Sequence, residues 1–484
     1  MPELFDQNPS LVFKYFYELT RIPRPSKKEE LVSEYVYQFG KKLGLESIKD
    51  ELGNVIIRKP ASRGFENLKS VVLQSHLDMV CEKNSDTLHD FEKDPINAFV
   101  DGEWIKARGT TLGADDGIGV AVQLAVLDSY DIAHGPIECL FTVDEETGLS
   151  GAFGLSDSVL KSRILINLDS EDWGEIFIGC AGGKDTKAEF KFMKENLPIG
   201  MKCFKINVSG LKGGHSGDEI HKGLGNAVKL LNRILWELTR DFNIRLSVID
   251  AGNLRNAIAR EGYATFAVSE SNADKVIKRV TEFEKAVKNE LSINAPDLKV
   301  EINSVQKLDY VIDNKTQLNL LYSLYACPHG VIAWSAAMPG LVETSTNLAS
   351  VKTKETIIVG TSQRSSVDSS IIDVAYMVQS VFKLAGASVE SGDGYPGWQP
   401  NLNSEILGIA SSSFLKLFGQ KPNVRAIHAG LECGLIGKKY PGMDMISYGP
   451  TVLGAHSPDE RLNIKTTQHF WELTLDILKN IPSA

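Results

Sequence analysis

Residues 71–80 read VVLQSHLDMV, an apolar run of strand length that turns polar at its end, with His76 and Asp78 where the run gives out. A buried parallel strand has this pattern where it delivers side chains to a site. The design recurs in IECLFTVDEE (137–146) and RILINLDSED (163–172), two more β-rich runs ending in carboxylates. Between the first two lies DGIGVAVQLAVLDSY (116–130), of helical length and apolar spacing, with Asp116 suited to cap its positive end. Strands alternating with helices, with polar residues at the strand ends, predict an α/β sheet whose site lies beyond its carboxyl edge.

Outward from this core the texture changes after about residue 186. KCFKINVSGL, NAVKLLNRILWELTR, IRLSVIDAG, YATFAVSE, ADKVIKRVTEFEKAVKNEL and LKVEINSV follow in the order βαββαβ. A second pass of the same kind is expected from roughly 316 to 390, although no residue-level repeat is visible. The Gly- and Pro-dense GDGYPGWQPN (392–401) reads as a crossing between domains, after which helix and strand patterns return. The expected organisation is a discontinuous α/β domain, residues 1–185 and 392–484, with a mixed sheet flanked by helices. An inserted α+β domain of two ferredoxin-like βαββαβ units spans 186–391.

A chain of 484 residues exceeds what one hydrophobic core usually supports, which agrees with two domains. The net charge of -10, with Lys and Arg scattered, argues against nucleic acid and anionic membrane surfaces as partners. MPELFDQNPSLVFKYFYELT lacks the basic start and unbroken apolar core of a leader, and no later stretch is long and apolar enough to span a bilayer, so a cytoplasmic protein is expected. Six cysteines lie far apart without a Cys-x-x-Cys pair, which predicts reduced core thiols and no disulfide framework.

Read singly, the polar strand ends have plain structural explanations. His76 and Asp78 fit a core histidine held by a carboxylate, Asp115-Asp116 a helix cap, Glu145-Glu146 a solvated strand end, Asp169 a loop cap and His456 a surface turn. Together they place five carboxylates or imidazoles on one edge of one sheet. Carboxylates packed there would repel, lose solvent and protonate unless a cation neutralised them. Imidazole and carboxylate without thiolate suit zinc first, with cobalt or manganese able to substitute, and a shared carboxylate bridges ions about 3.5–4 Å apart. Two such ions activate one water as hydroxide and polarise the carbonyl it attacks, while a carboxylate outside the ligand set carries the proton. Alternation along a strand end would turn Glu146 to metal and Glu145 to substrate.

The ordered set SHLDMV, GTTLGADDG, TVDEETGLSGA, NLDSED and GAHSPDERL resembles the metallopeptidase family that includes carnosinases, bacterial peptidase T and aminoacylases, across nearly the whole chain. GTTLGADDGIG, LKGGHSGDEIH and HAGLECG are most similar to the aminoacyl-histidine dipeptidase branch of that family. The resemblance implies that Asp115 bridges two ions, that His76 and Asp169 complete one site and Glu146 and His456 the other, and that Glu145 is the general base. It implies a cis peptide between Asp115 and Asp116. Asp78 would accept the free imidazole N–H of His76 and so fix which nitrogen meets the metal. In the inserted domain it implies that His215 stabilises the oxyanion, often in the partner subunit's site, and that Asn256 and Arg364 hold the substrate backbone and terminal carboxylate. A guanidinium fork suits that carboxylate. Without the resemblance His215 reads as a loop histidine and Arg364 as a solvated strand residue. Gly430 would offer a backbone N–H to substrate, with His428 and Glu432 lining the specificity pocket.

The expected activity is metal-dependent hydrolysis of dipeptides, aminoacyl-histidine (carnosine-type) dipeptides first, by a homodimer joined through an inserted domain that acts as a lid. A tripeptide aminopeptidase or an N-acyl-amino-acid amidohydrolase remains open, because substrate length is set by the lid and not by the metal centre. A non-catalytic peptide- or metal-binding protein would require a broken ligand set, and none of the ligand positions is missing.

Overall fold

A computed structural model describes residues 6–484, so the first five residues of the segment read for a leader lie outside the described residues. The chain divides into two compact units. One comprises residues up to 179 with 398–426 and 431–484, and the other residues 180–397 with 427–430.

The first unit is built on an eight-stranded sheet in the order Glu46–Lys49, Val55–Lys59, Ile137–Thr142, Val71–His76, Ile164–Asn167, Asp444–Ser447, Glu175–Cys180, Asn423–Ile427. The four central strands are parallel, whereas Val55–Lys59 and Glu175–Cys180 run antiparallel to their inner neighbours, so the sheet is mixed. Val71–His76 and Ile137–Thr142 are buried along their whole length. Near-continuous apolar runs are what parallel strands covered on both faces require. Helix Ala114–Asp128 packs on Val71–His76 and on helix Ser10–Thr20, and inside it Gln123 donates to the carbonyls of Leu73 and Leu140 at 2.6 and 3.2 Å. A smaller sheet carries the hairpin Val452–Leu453 and Arg461–Asn463, which pairs through the latter strand with Trp104–Ala107. That pairing brings the loop of His456 beside the 108–113 loop that leads into Asp115.

The second unit is a nine-stranded antiparallel sheet. Eight strands run in the order Lys299–Ser304, Met201–Ser209, Gly262–Ser269, Arg245–Gly252, Val342–Thr353, Ile357–Ser365, Gly182–Phe190, Ser388–Ser391, and Gly330–Trp334 adds to Val342–Thr353. Each half of the eight has the 4-1-3-2 strand order of a ferredoxin-like βαββαβ unit when its strands are numbered along the chain. Arg245–Gly252 and Val342–Thr353 join the halves, with Asp250 opposite Lys352 and an ion pair of 2.6 Å between them. One apolar core runs under both halves, from Phe204, Leu231 and Phe266 to Phe190 and Phe382.

The second half does not begin near residue 316. Its first strand is Gly182–Phe190, and the entire first half, 201–304, lies between that strand and helix Asn314–Ala326. One repeat nested inside the other shows no tandem period in sequence, which explains why none is visible. The boundary expected at 185/186 falls inside this same strand. The second crossing falls between 397 and 398, within GDGYPGWQPN and six residues past the boundary expected at 391/392. Among the described residues no helix is long and apolar enough to cross a membrane.

Candidate active site

Three parallel strand ends and two loops of the first unit supply the site. His76 closes Val71–His76, Asp169 lies two residues past Ile164–Asn167, and Glu145 and Glu146 follow Ile137–Thr142. Asp115 enters helix Ala114–Asp128 with non-helical angles and a cis bond to Asp116. The Asp116 carboxylate accepts from the N–H of Gly119 at 3.1 Å, so it does cap the regular part of this helix. His456 sits in the 452–463 hairpin loop with φ 61°.

The two oxygens of Asp115 face different imidazoles: Oδ1 lies 3.1 Å from His76 Nε2 and Oδ2 3.1 Å from His456 Nε2. His76 Nε2 is also 3.3 Å from Asp169 Oδ1, and His456 Nε2 is 3.1 Å from Glu146 Oε1. His76, Asp115 and Asp169 form one group of donor atoms within 4.8 Å of one another, and Asp115, Glu146 and His456 a second. Glu145 groups with His76 and Glu146 within the same distance. On the far side of the His76 ring, Nδ1 lies 3.3 Å from Asp78 Oδ1, in a bent approach that does not make a regular hydrogen bond.

The expected alternation of Glu145 and Glu146 along a strand end is not what forms. The strand stops at Thr142, Asp144 takes a left-handed conformation (φ 54°), and both glutamates occupy the first turn of the short helix Glu145–Gly148. Asp78 holds this turn, accepting from the N–H groups of Glu145 and Glu146 at 3.0 and 3.2 Å and from Ser26 Oγ at 2.8 Å. Consecutive side chains then diverge by about 100° instead of alternating, which still sends the two carboxylates different ways.

Burial sets the charge state of this cluster. It pushes Glu145 well above the usual carboxylate range, Asp169 to about 7 and Glu171 to about 8, the last two also under repulsion from Asp115. Burial would raise Asp115 too, but hydrogen bonds with His456 and His76 carry it below its ordinary value. Asp78, likewise desolvated, is brought down to about 2 by His76, Ser26 and the Glu145 N–H. A set of nitrogen and oxygen donors with this much desolvated negative charge, split into two groups that share one carboxylate, fits a pair of divalent cations.

Glu432 does not line a pocket. It is fully buried beneath the strand ends, with Oε2 accepting from Gln74 Nε2 and Thr142 Oγ1 at 2.6 Å each, and burial pushes its carboxyl to about 7. Gln74 Oε1 in turn accepts from Asn167 Nδ2 at 2.6 Å. The polar residues two places before His76 and Asp169 thus form a hydrogen-bonded layer, legible in hindsight as Gln and Asn inside otherwise apolar strands. Two buried charges, Arg24 and Glu460, also escaped the sequence reading. Cys81 is a half-exposed thiol pushed up to about 11 by burial, and the other five cysteines are buried.

The second unit gathers its own candidates. His215 Nδ1 accepts from the N–H groups of Gly217 and Asp218 at 3.3 and 3.1 Å, which leaves Nε2 to carry the proton of the neutral ring. The loop of His215 is zipped to that of Asn256, an exposed residue, by Ser216 N–H to Asn256 O and Ile258 N–H to Gly214 O, both 2.8 Å. His215 and Asn256 line a cavity of about 950 Å³. Arg364 is not solvated: it is 8% exposed, donates to Tyr395 Oη at 3.0 Å, and its buried Nε has no partner. Gly430 packs on the same tyrosine, where a Cβ would come within 2.9 Å of the ring. His428, buried and hydrogen-bonded to Ser345 Oγ at 2.7 Å, is lowered to about 4 by burial and by the Arg364 charge.

The family model for peptidase family M20/M25/M40 matches residues 72–480. The cytosol non-specific dipeptidase of Escherichia coli (strain K12) is 46% identical over 484 residues, 100% of both chains. The solved structure of the aminoacylhistidine dipeptidase of Vibrio alginolyticus is 44% identical, covers 100% of this chain and 99% of its own, and superposes with a TM-score of 0.93. That of aminopeptidase PepT from Bacillus cereus, at 16% identity, 98% and 99% coverage and a TM-score of 0.58, shares the fold.

Proposed function

The chain belongs to peptidase family M20/M25/M40, and from that membership we propose that it is a cytoplasmic dipeptidase that cleaves aminoacyl-histidine dipeptides first, with two zinc ions per subunit. The observation that carries this reading is the split of Asp115, whose two oxygens face His76 and His456, each beside a second carboxylate. His76, Asp115 and Asp169 would hold one ion, and Asp115, Glu146 and His456 the other. Bound there, the ions supply Lewis acidity that acidifies a water and polarises the peptide carbonyl.

Glu145 takes the proton of the attacking water and returns it to the leaving amine. Its burial suits this exchange, since a carboxyl raised above its ordinary range is a stronger base when ionised. Asp78 holds Glu145 and Glu146 by their backbone and keeps His76 facing its site through Nε2. From the second unit, acting as a lid, the Nε2–H of His215 stabilises the oxyanion, Arg364 pairs with the terminal carboxylate, and Asn256 and Gly430 bind the substrate backbone. A homodimer through the lid is part of this reading.

Metal-stripped protein should regain dipeptide hydrolysis with zinc, cobalt or manganese, and zinc titration should reach two ions per chain. Protein that cleaves dipeptides equally well with no metal bound would sink the assignment. The names of the two relatives favour different breadths, non-specific for one and aminoacylhistidine for the other. Comparing kcat/KM for carnosine, alanyl-histidine, alanyl-alanine, a tripeptide and an N-acetyl amino acid decides between them. Carnosine and alanyl-histidine ranking last would leave the broad dipeptidase reading in place.

A further inference from the structure

The 112–115 segment that delivers Asp115 belongs to no strand, and Leu112 and Ala114 are fully buried. Its backbone groups must find partners inside the protein or cost stability. Two buried charged side chains provide them. Glu460, 2% exposed, accepts from four consecutive N–H groups: Leu112 and Gly113 on Oε2 at 2.6 and 2.9 Å, Ala114 and Asp115 on Oε1 at 2.7 and 3.3 Å. Arg24, 3% exposed, donates through Nη2 to the carbonyl of Gly113 at 2.5 Å and through Nη1 to those of Leu77 and Asp78 at 2.9 and 2.7 Å. Gly113 is thus gripped through both its N–H and its C=O.

We propose that Arg24 and Glu460 are positioning residues that aim Asp115 at both imidazoles by locking three ligand-bearing segments together. The inference rests on the reading of Asp115 as the shared ligand. Arg24 ties the chain just past His76 to the Asp115 loop, and Glu460, four residues past His456, ties the His456 loop to it. Neither belongs to the proposed ligand set. A carboxylate sharing its two oxygens between two partners tolerates little drift, since a tilt that favours one imidazole withdraws the other oxygen.

The pair of acceptor oxygens on Glu460 is part of the device. Four N–H donors need an acceptor-only group with two oxygens, and an amide in its place would turn an NH2 against two of them. Arginine is equally specific, since three carbonyls in different directions match a fork and not a single ammonium.

The test is Glu460→Gln in the full-length protein, below its melting temperature, with two readouts. Zinc titration of the metal-stripped protein and steady-state kinetics on alanyl-histidine should show zinc affinity and kcat both falling about 10- to 100-fold. KM should stay within about threefold, because the residue meets no substrate. A variant that melts earlier yet binds two zinc ions and turns over like wild type would overturn the proposal, since a purely structural residue does that. Should Glu460→Gln not fold, Arg24→Lys is read the same way, with the same direction expected and wild-type values overturning. Wild-type protein that binds no zinc and cleaves nothing would bring down the functional reading itself, and that outcome is visible before any variant is made.

Discussion

The two units gather buried charge of opposite kinds. In the first, Glu145, Asp169 and Glu171 are pushed upward by burial and by one another, the signature of a site short of positive charge. In the second, Arg364 has an unpartnered buried Nε, and burial together with the Arg364 charge pushes His428 down to about 4, so that hydrogen-bond donors and not carboxylates predominate. A dipeptide in hydrolysis asks for both: cations where its carbonyl is attacked, and hydrogen-bond donors where its oxyanion and terminal carboxylate lie.

Glu145→Gln breaks the first half of this comparison most severely. The amide keeps the shape and leaves the ligand set intact, so two zinc ions should still bind while kcat falls by about 10²- to 10⁴-fold. Turnover near wild type would remove Glu145 from the role of base. Arg364→Met attacks the other half. Loss of a charge-assisted contact of about 1.5–3 kcal/mol should raise KM for alanyl-histidine roughly 10- to 100-fold. The matching dipeptide amide, which lacks the carboxylate, should be cleaved no worse by the variant than by wild type. Equal damage to both substrates would mean that Arg364 supports the fold around Tyr395 and does not read the carboxylate.

Gly217→Ala sharpens the contrast at smaller cost. A Cβ there would lie 2.1 Å from the carbonyl oxygen of His428, and the backbone on both sides would have to give. Overpacking of this sort costs about 1–3 kcal/mol. It should displace the turn whose N–H groups hold His215 Nδ1, so kcat should drop more than thermal stability does. A drop in melting temperature with kcat intact would show that the turn relaxes without moving the histidine.

Much of the first unit was readable because its signals are local. An apolar run that gives out at His76, or just before Asp169, carries its own strand and its own polar end. The second unit hid its nesting because the strand opening its second half, Gly182–Phe190, is separated from the rest of that half by the whole first half. Arg24, Glu432 and Glu460 stayed hidden for a related reason: a buried charge is indistinguishable in sequence from a solvated one until its partners, distant along the chain, are known. The strand-end reading of Glu145 and Glu146 failed on a single left-handed residue, Asp144, whose conformation is held by Ser150 Oγ, at 2.6 Å from its carboxylate, and by contacts no periodicity records.

An effect within the second unit alone is read by pH. His329, in the second unit, accepts from Leu348 N–H at Nδ1 (3.2 Å), and burial together with the Lys229 charge lowers it to about 4. A folded value below the unfolded one means that the unfolded chain takes up a proton first as pH falls from about 6.5. Stability contributed by the neutral ring is therefore present above that pH and declines by roughly 1.4 kcal/mol per pH unit down to about 4. His329→Gln cannot titrate. Against wild type at equal zinc, it should be the less stable protein at pH 8, where it has only lost a packed hydrogen bond, and the gap should hold to about pH 6.5 and narrow below it. Because the difference between two proteins cancels the acid sensitivity of the carboxylate-rich first unit, a gap that stays constant with pH would show that His329 titrates as a solvated histidine does.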